Sequence, residues 1–300
     1  IRRPPRSTQG VSSAASDVYK RQARAIDIDA YQENGFLIVP SLFTAAEMVT
    51  LADDVTRLCR GAYGTVKDLE DSPRDEPETD LLCRYMACHV VHKVLPLTRT
   101  MLADQRIVDV VAALIGPNVK CVHSVLFLKG PGEPGNAWHQ DETFIPTRDH
   151  SLTTVWIAID DVEIVNGCLR FLPGSHAPGI LWPMRPHNDP TLDRLEIACG
   201  FPQPETTANA VEIPAGSAVV FDCYTLHSSF PNRTSDRFRR SIQFVYMRAE
   251  SLLPWDQVSR ALTGVDYRDI IIVSGTDPYA YKGIDDPVSY THLRAHETDS

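Results

Sequence analysis

Trp138-His139-Gln140-Asp141, followed well downstream by Leu226-His227 and then by Arg237, Arg239 and Arg240, supplies two imidazoles, one carboxylate and a nearby cationic anchor. Two imidazoles and one carboxylate on one face of a metal leave its other positions open, the arrangement that suits a non-haem Fe(II) oxygenase. A His-x-Asp spacing alone says little, because the chain has 10 His and repeats the spacing at His187-Asn188-Asp189. The two copies differ in their surroundings. His187 lies among Pro183, Pro186 and Pro190, a loop with no strand-like run to fix the side chains, and reads as a decoy. His139 follows the strand-like run Val122 to Leu128 and the turn-rich Gly130-Pro131-Gly132-Glu133-Pro134-Gly135. In an extended segment residues i and i+2 share a side, so His139 and Asp141 can bind one ion while Gln140 faces away.

The elements that must position these groups are mostly short strands. Val119 to Leu128, Leu152 to Ile159, Gly167 to Leu172, Ala210 to Ile213, Ser217 to Asp222 and Ser241 to Met247 follow one another between turn signals, which argues for a β-sandwich or barrel rather than a parallel α/β sheet. Along Leu152 to Ile159, Val155, Ile157 and Ile159 make an apolar face, and Thr154, Trp156 and Ala158 a mixed face able to line a cavity. Ahead of these strands, Tyr31 to Pro40 reads as a short helical start turning into a strand. Thr44 to Arg60 is an amphipathic helix with a Thr44/Glu47 capping box and Met48, Leu51, Val55 and Leu58 at helical spacing. Asp68 to Asp80 is an acidic loop, and Met101 to Leu114 a second helix stopped by Gly116-Pro117. A helix from Pro254 to Leu262 and a strand-like run from Tyr267 to Val273 are expected to pack outside the β core.

At 300 residues with 43% hydrophobic content, the chain can bury the core of one large β-rich domain. The 29 Lys and Arg against 39 Asp and Glu give a net charge of −10 with no basic stripe, so nucleic acid is not an expected partner. The 7 cysteines are scattered without a Cys-x-x-Cys pair, which fits a reducing cytoplasm. No run approaches the roughly 18 apolar residues of a membrane span, and the N-terminus lacks the apolar core of a secretion signal, so a soluble protein is expected. Residues 1–22 and 288–300 differ in character from the rest and are expected to be foreign or disordered segments flanking a single domain over 23–287.

Taken together, His139-Gln140-Asp141, the run Asn166 to His176 (Asn-Gly-Cys-Leu-Arg-Phe-Leu-Pro-Gly-Ser-His), and His227-Ser228-Ser229 with Asn232 and the Arg-rich run resemble the phytanoyl-CoA dioxygenase family. The resemblance spans roughly residues 34–283. It implies a mainly β fold with flanking helices around a double-stranded β-helix (jelly-roll) core, and Fe(II)- and 2-oxoglutarate-dependent oxygenase activity using O₂. It also implies His139, Asp141 and His227 as iron ligands. Arg239, in an Arg-Arg-Ser-Ile context, would meet the distal carboxylate of 2-oxoglutarate through paired charge-assisted hydrogen bonds. One extra residue after Asn232 leaves Arg237 and Arg240 as rivals. Ser229, two residues beyond His227, could add a hydroxyl to the same carboxylate. Trp156 matches a position where relatives place an indole near the cosubstrate, with a core aromatic as the alternative. Lys129 is read as a loop-edge lysine with a cosubstrate or substrate contact as the alternative, His176 as structural, and His123 as a hydrogen-bonded core histidine. Cys168 and Cys223 are read as small buried apolar residues.

The resemblance implies an oxidoreductase that hydroxylates a small-molecule substrate and releases succinate and CO₂. Related halogenases carry Gly or Ala where this chain has Asp141, so the carboxylate argues for oxidation without halide. The competing readings are a metal-dependent cupin-like isomerase or lyase that does not use 2-oxoglutarate, and a silent binding module on the same fold. Arg239 and Ser229 argue against the first, since it needs no 2-oxoglutarate clamp, and the intact triad argues against the second.

Overall fold

The computed structural model describes residues 26–64, 66–73, 75–193, 196–253, 268–284 and 292–295. The strands are β1 (Phe36–Val39), β2 (Tyr85–His89), β3 (Val119–Lys129), β4 (Thr153–Ala158), β5 (Leu169–Phe171), β6 (Met184–Pro186), β7 (Glu196–Ala198), β8 (Asn209–Val211), β9 (Ala218–Asp222), β10 (His227–Ser229), β11 (Arg239–Arg248), β12 (Ile271–Ser274) and β13 (His292–Ala295). A major sheet runs in the order β1-β9-β4-β11-β3-β2-β13 with β12 on β3, and a minor sheet in the order β10-β5-β8. Strands β6 and β7 form a separate hairpin-like pair. All pairings between these strands are antiparallel. This is the jelly-roll architecture that the resemblance implies, with two facing sheets rather than a closed barrel.

Alternation along β4 divides the core into two layers. Val155 and Ile157 pack on the helical side with Leu51, Val55, Val111 and Phe244. Trp156 and Ala158 pack on the inner side with Phe171, Val211, Val219 and Phe221, between the two sheets. The helix Ala45–Cys59 buries Met48, Leu51, Val55 and Leu58, the residues its spacing picks out. Full burial of each contributes on the order of 1.5–3 kcal/mol. That outweighs the ~1 kcal/mol of its N-cap. The cap is a complete capping box, with Glu47 N–H donating to Thr44 Oγ1 (3.2 Å) and Thr44 N–H to Glu47 Oε2 (2.7 Å). Arg106 ties Glu47 to the helix Gln105–Ile115, and that contact holds the Glu47 carboxyl down at about 2.

Several boundaries differ from the sequence reading. The helix expected over 101–114 is two helices, Pro96–Met101 and Gln105–Ile115, because Asp104 leaves helical geometry and caps the second by accepting from Arg106 N–H. The acidic loop ends in a short helix, Glu78–Leu82, and β2 follows it without a periodic signature. The strand expected near Tyr267 to Val273 is β12. The Pro254 to Leu262 helix and residues 1–22 lie outside the described residues. Residues 292–295, set outside the fold in the sequence reading, form β13 against β2.

Candidate metal centre and anion clamp

His139 and His227 face one another across a two-residue antiparallel bridge that extends the minor sheet. Each backbone N–H donates to the other's carbonyl at 3.0 Å, and the ring centroids are 4.1 Å apart. Both rings are oriented the same way. His139 Nδ1–H donates to the Ala137 carbonyl (2.7 Å) and His227 Nδ1–H to the Thr225 carbonyl (3.0 Å). With Nδ1 protonated, the neutral ring keeps its Nε2 lone pair for a metal. Those two Nε2 atoms lie 3.4 and 3.6 Å from Asp141 Oδ1. The i, i+2 argument holds locally because Gln140 is extended (φ −127, ψ 126), and the chain enters a 3₁₀ turn only from Asp141.

Asp141 is aimed by its other oxygen, Oδ2, which accepts from Thr154 Oγ1 and Gln243 Nε2, both at 3.3 Å. These partners come from β4 and β11, so the mixed face of β4 does line the site. Gln140 points away, donating to the Tyr224 carbonyl (2.7 Å) and the Ile180 carbonyl (2.9 Å) and accepting from Trp182 N–H (2.8 Å). The ligand atoms of His139, Asp141 and His227 lie within 4.8 Å of one another, the one such metal-competent trio among the described residues. Two neutral imidazoles and a carboxylate, each held by hydrogen bonds on its far side, fit a divalent iron. Among the described residues the His187 decoy engages its own turn, accepting from Asp189 N–H.

The three arginines separate cleanly. Arg237 pairs with Glu163 at 2.5 Å and Arg240 with Asp160 at 2.7 Å, both away from the trio. Arg239 is 4% exposed, lines the same cavity as the trio, and lies 5.5 Å from the Trp156 ring centroid. Burial pushes its guanidinium down to about 10. Its Nη1 donates to Ser241 Oγ (2.9 Å), whereas its Nε has no hydrogen-bond partner among the described residues. A buried cation with a donor to spare suits an incoming carboxylate. Asn232 accommodates the extra residue in the preceding loop, donating to the Arg237 carbonyl (2.7 Å) and accepting from Thr234 N–H (3.0 Å).

Lys129, read as a loop-edge residue, instead stands opposite Arg239 in the β3–β11 register and lines the cavity. Its Nζ donates to Ser229 Oγ and the Phe230 carbonyl, both at 2.9 Å. Burial, helped by the Arg239 charge, pushes its ammonium down to about 7. Gly167 explains how the lysine fits: it has φ +97, and a Cβ there would stand 2.7 Å from Lys129 Cδ and 2.8 Å from the Phe230 carbonyl. Trp156 belongs to both of its alternatives, packing in the inter-sheet core and lining the cavity. His176 is structural, with Nε2 against the Gln32 carbonyl (3.1 Å). Cys168 and Cys223 are fully buried. His123 is buried as expected and lines the cavity as well. Glu142, which carried no motif signal, is buried beside Asp141, bonded by Thr147, and pushed up to about 7 by burial.

A jelly roll whose minor sheet carries a His-x-Asp…His trio, with a buried cation at the other end of one cavity, defines the class of non-haem iron oxygenases that take a 2-oxo acid. Residues 31–241 match the phytanoyl-CoA dioxygenase (PhyH) family, and the chain belongs to it. It is 25% identical over 231 residues to a probable alpha-ketoglutarate-dependent hypophosphite dioxygenase of Stutzerimonas stutzeri, covering 74% of this chain and 77% of that protein. It is 26% identical over 257 residues to the ectoine dioxygenase of Stutzerimonas stutzeri (strain A1501), covering 79% and 80%. Among solved structures, the apo form of the non-heme monooxygenase ThoJ superposes with a TM-score of 0.64 at 25% identity, covering 91% and 90%. The protein is a non-haem Fe(II)- and 2-oxoglutarate-dependent dioxygenase.

Proposed function

We propose that His139, Asp141 and His227 hold Fe(II), that Arg239, Ser229 and Trp156, joined by Lys129, hold 2-oxoglutarate, and that the enzyme hydroxylates a C–H bond of a small molecule. The observation that carries this reading is the single cavity, about 360 Å³, lined by the trio at one level and by Arg239, Lys129 and Ser229 at one end. When bound, the metal and cosubstrate supply O₂ activation coupled to decarboxylation of the 2-oxo acid to succinate and CO₂.

The protein's own contribution is positioning. Backbone carbonyls hold both Nδ1 protons and so fix the imidazole tautomer, while Thr154 and Gln243 fix the carboxylate. Arg239 and Lys129 set the register of the cosubstrate along the cavity, and Trp156 and Phe221 shield it from water. A carboxylate at 141 fills the position that a halide would need, which supports hydroxylation. The oxygenase unit is residues 23–287, with β13 (His292–Ala295) an added strand at the edge of its major sheet, and seven free thiols support a reducing, cytoplasmic setting. No helix among the described residues is long and apolar enough to cross a membrane. Neither net charge nor cavity shape favours a nucleic-acid partner.

The test is an anaerobic titration with Fe(II) and then 2-oxoglutarate, following the visible charge-transfer band of a chelated 2-oxo acid. A band that needs both additions, persists in His187→Ala and is lost in Asp141→Ala is expected. Tight metal binding without a band would instead favour oxygen-independent isomerase or lyase chemistry.

A further inference from the structure

β11 runs between β3 and β4 within the major sheet, and along Ser241 to Met247 every residue is buried except Gln243. Alternation puts Arg239, Ser241, Gln243 and Val245 on the inner face, while Ile242 and Phe244 pack on the helical side. The accessible part of the Gln243 side chain therefore opens on the cavity that it lines. Its amide can stand only one way round. Asp141 Oδ2 is a carboxylate oxygen, which accepts, so the 3.3 Å contact fixes Gln243 Nε2 on that side. Oε1 is left on the other side, and among the described residues no group donates to it. The Thr154 hydroxyl, by contrast, is shared between Asp141 Oδ2 and Cys223 Sγ, each at 3.3 Å.

The neighbours of Gln243 on the cavity wall offer that oxygen nothing. Val125 stands opposite it on β3 and Trp156 on β4, and Phe127 and Val245 lie one step along the same face. Ile145, from the turn after Asp141, joins the Val245 cluster and lines the cavity too. In such surroundings a ligand that brings an O–H or N–H to the amide oxygen gains what a ligand of the same shape without one cannot. We propose that Gln243 binds the substrate, Oε1 accepting a hydrogen bond from a hydroxyl or amine of a small molecule whose remaining body is apolar. The proposal rests on the assignment of the metal to His139, Asp141 and His227. One amide then touches both the substrate and Asp141, which ties the placement of the substrate to the metal position. The cavity, about 360 Å³ and shared with the cosubstrate, sets the size at a small metabolite.

Cyclohexanol and cyclohexylamine, which donate hydrogen bonds, and cyclohexanone, which only accepts them, are probes of nearly equal size. They are titrated calorimetrically into the full chain loaded with saturating Zn(II) and N-oxalylglycine, an unreactive stand-in for 2-oxoglutarate. Zinc and N-oxalylglycine affinities, measured first, test the underlying site assignment separately. The better of the two donors is expected to bind at least about tenfold more tightly than cyclohexanone. Which donor it is shows whether the substrate's group is neutral or cationic. In Gln243→Leu the preference falls to near unity. In Thr154→Val, which removes the other donor to Asp141 and leaves Gln243 in place, it is retained, so direct contact is separated from an effect passed through the carboxylate. Nitrogen NMR of the parent gives a second readout, the side-chain amide signal that Gln243→Leu removes: the donor probe moves it downfield and cyclohexanone does not. The proposal is overturned if neither donor outbinds cyclohexanone, if the preference survives in Gln243→Leu or is lost equally in Thr154→Val, or if the amide signal stays in place.

Discussion

Arg239→Met is expected to weaken cosubstrate binding strongly while making the unliganded protein more stable. The guanidinium is buried and held down to about 10 by desolvation. That displacement from its ordinary value corresponds to a burial cost on the order of 3 kcal/mol. The cost is present in full at every pH below about 10, where both the folded and the unfolded protein carry the charge, and is relieved only above it. Methionine removes this cost and gives up the Ser241 hydrogen bond and the Trp156 contact, together about 1–2 kcal/mol. The net gain of about 1–2 kcal/mol should raise the melting temperature of the metal-free protein by a few degrees. Loss of a desolvated charge pair with the dicarboxylate costs about 2–5 kcal/mol, a fall in 2-oxoglutarate affinity of roughly thirtyfold to several thousandfold. Calorimetric melting and the anaerobic charge-transfer titration measure the two effects, with Arg237→Ala and Arg240→Ala as comparators that retain the band. Parental cosubstrate affinity in Arg239→Met would refute the clamp, and a melting temperature lowered by several degrees would refute the desolvation argument.

Lys129→Met should weaken 2-oxoglutarate roughly tenfold and flatten its pH dependence. The ammonium sits at about 7, below its ordinary value, so in the parent protein affinity falls as pH rises through 7 and the charge is lost. The folded apo protein binds fewer protons here than the unfolded chain above pH 7, so this group's contribution to stability improves from about pH 7 towards 10, which melts across that range can check against the variant. Gln243→Leu leaves the ligand atoms in place but removes one of the two donors to Asp141 Oδ2, with Thr154 remaining, and should weaken Fe(II) about tenfold in a competitive chelator titration. Gly167→Ala forces a Cβ against Lys129 and the Phe230 carbonyl at a positive φ, and should cost about 1–3 kcal/mol in a denaturant melt.

The parts legible in the sequence are those fixed by local pattern. The capping box at Thr44, the alternation of Val155 with Trp156 and the i, i+2 relation of His139 and Asp141 each depend on a few adjacent residues, and each has its expected geometry. What escaped is set by distant partners. Lys129 has the composition of a strand edge beside a Gly-Pro loop; only its register with Arg239 and the missing Cβ at Gly167 bury it. The separate positions of Arg237, Arg239 and Arg240 depend on how Asn232 folds the preceding loop, and β2 lacks a periodic signature because its neighbours on both sides supply the pairing.

The centre is built so that few side chains need to be right for the proposed metal ligands to be right. The two imidazoles are cross-strand neighbours joined by paired backbone hydrogen bonds, and each ring is turned by the carbonyl two residues before it. Their mutual geometry is therefore a property of the sheet. Gln140, between His139 and Asp141, uses its amide to grip Tyr224 ahead of His227 and the Ile180–Trp182 segment, which leads into the stretch that contributes Asp193 and Glu196 to the cavity lining. One residue thus couples the His139–Asp141 segment to a stretch that lines the cavity. Variation in that stretch can change what enters while the sheet keeps the proposed metal donors and anion clamp where they are.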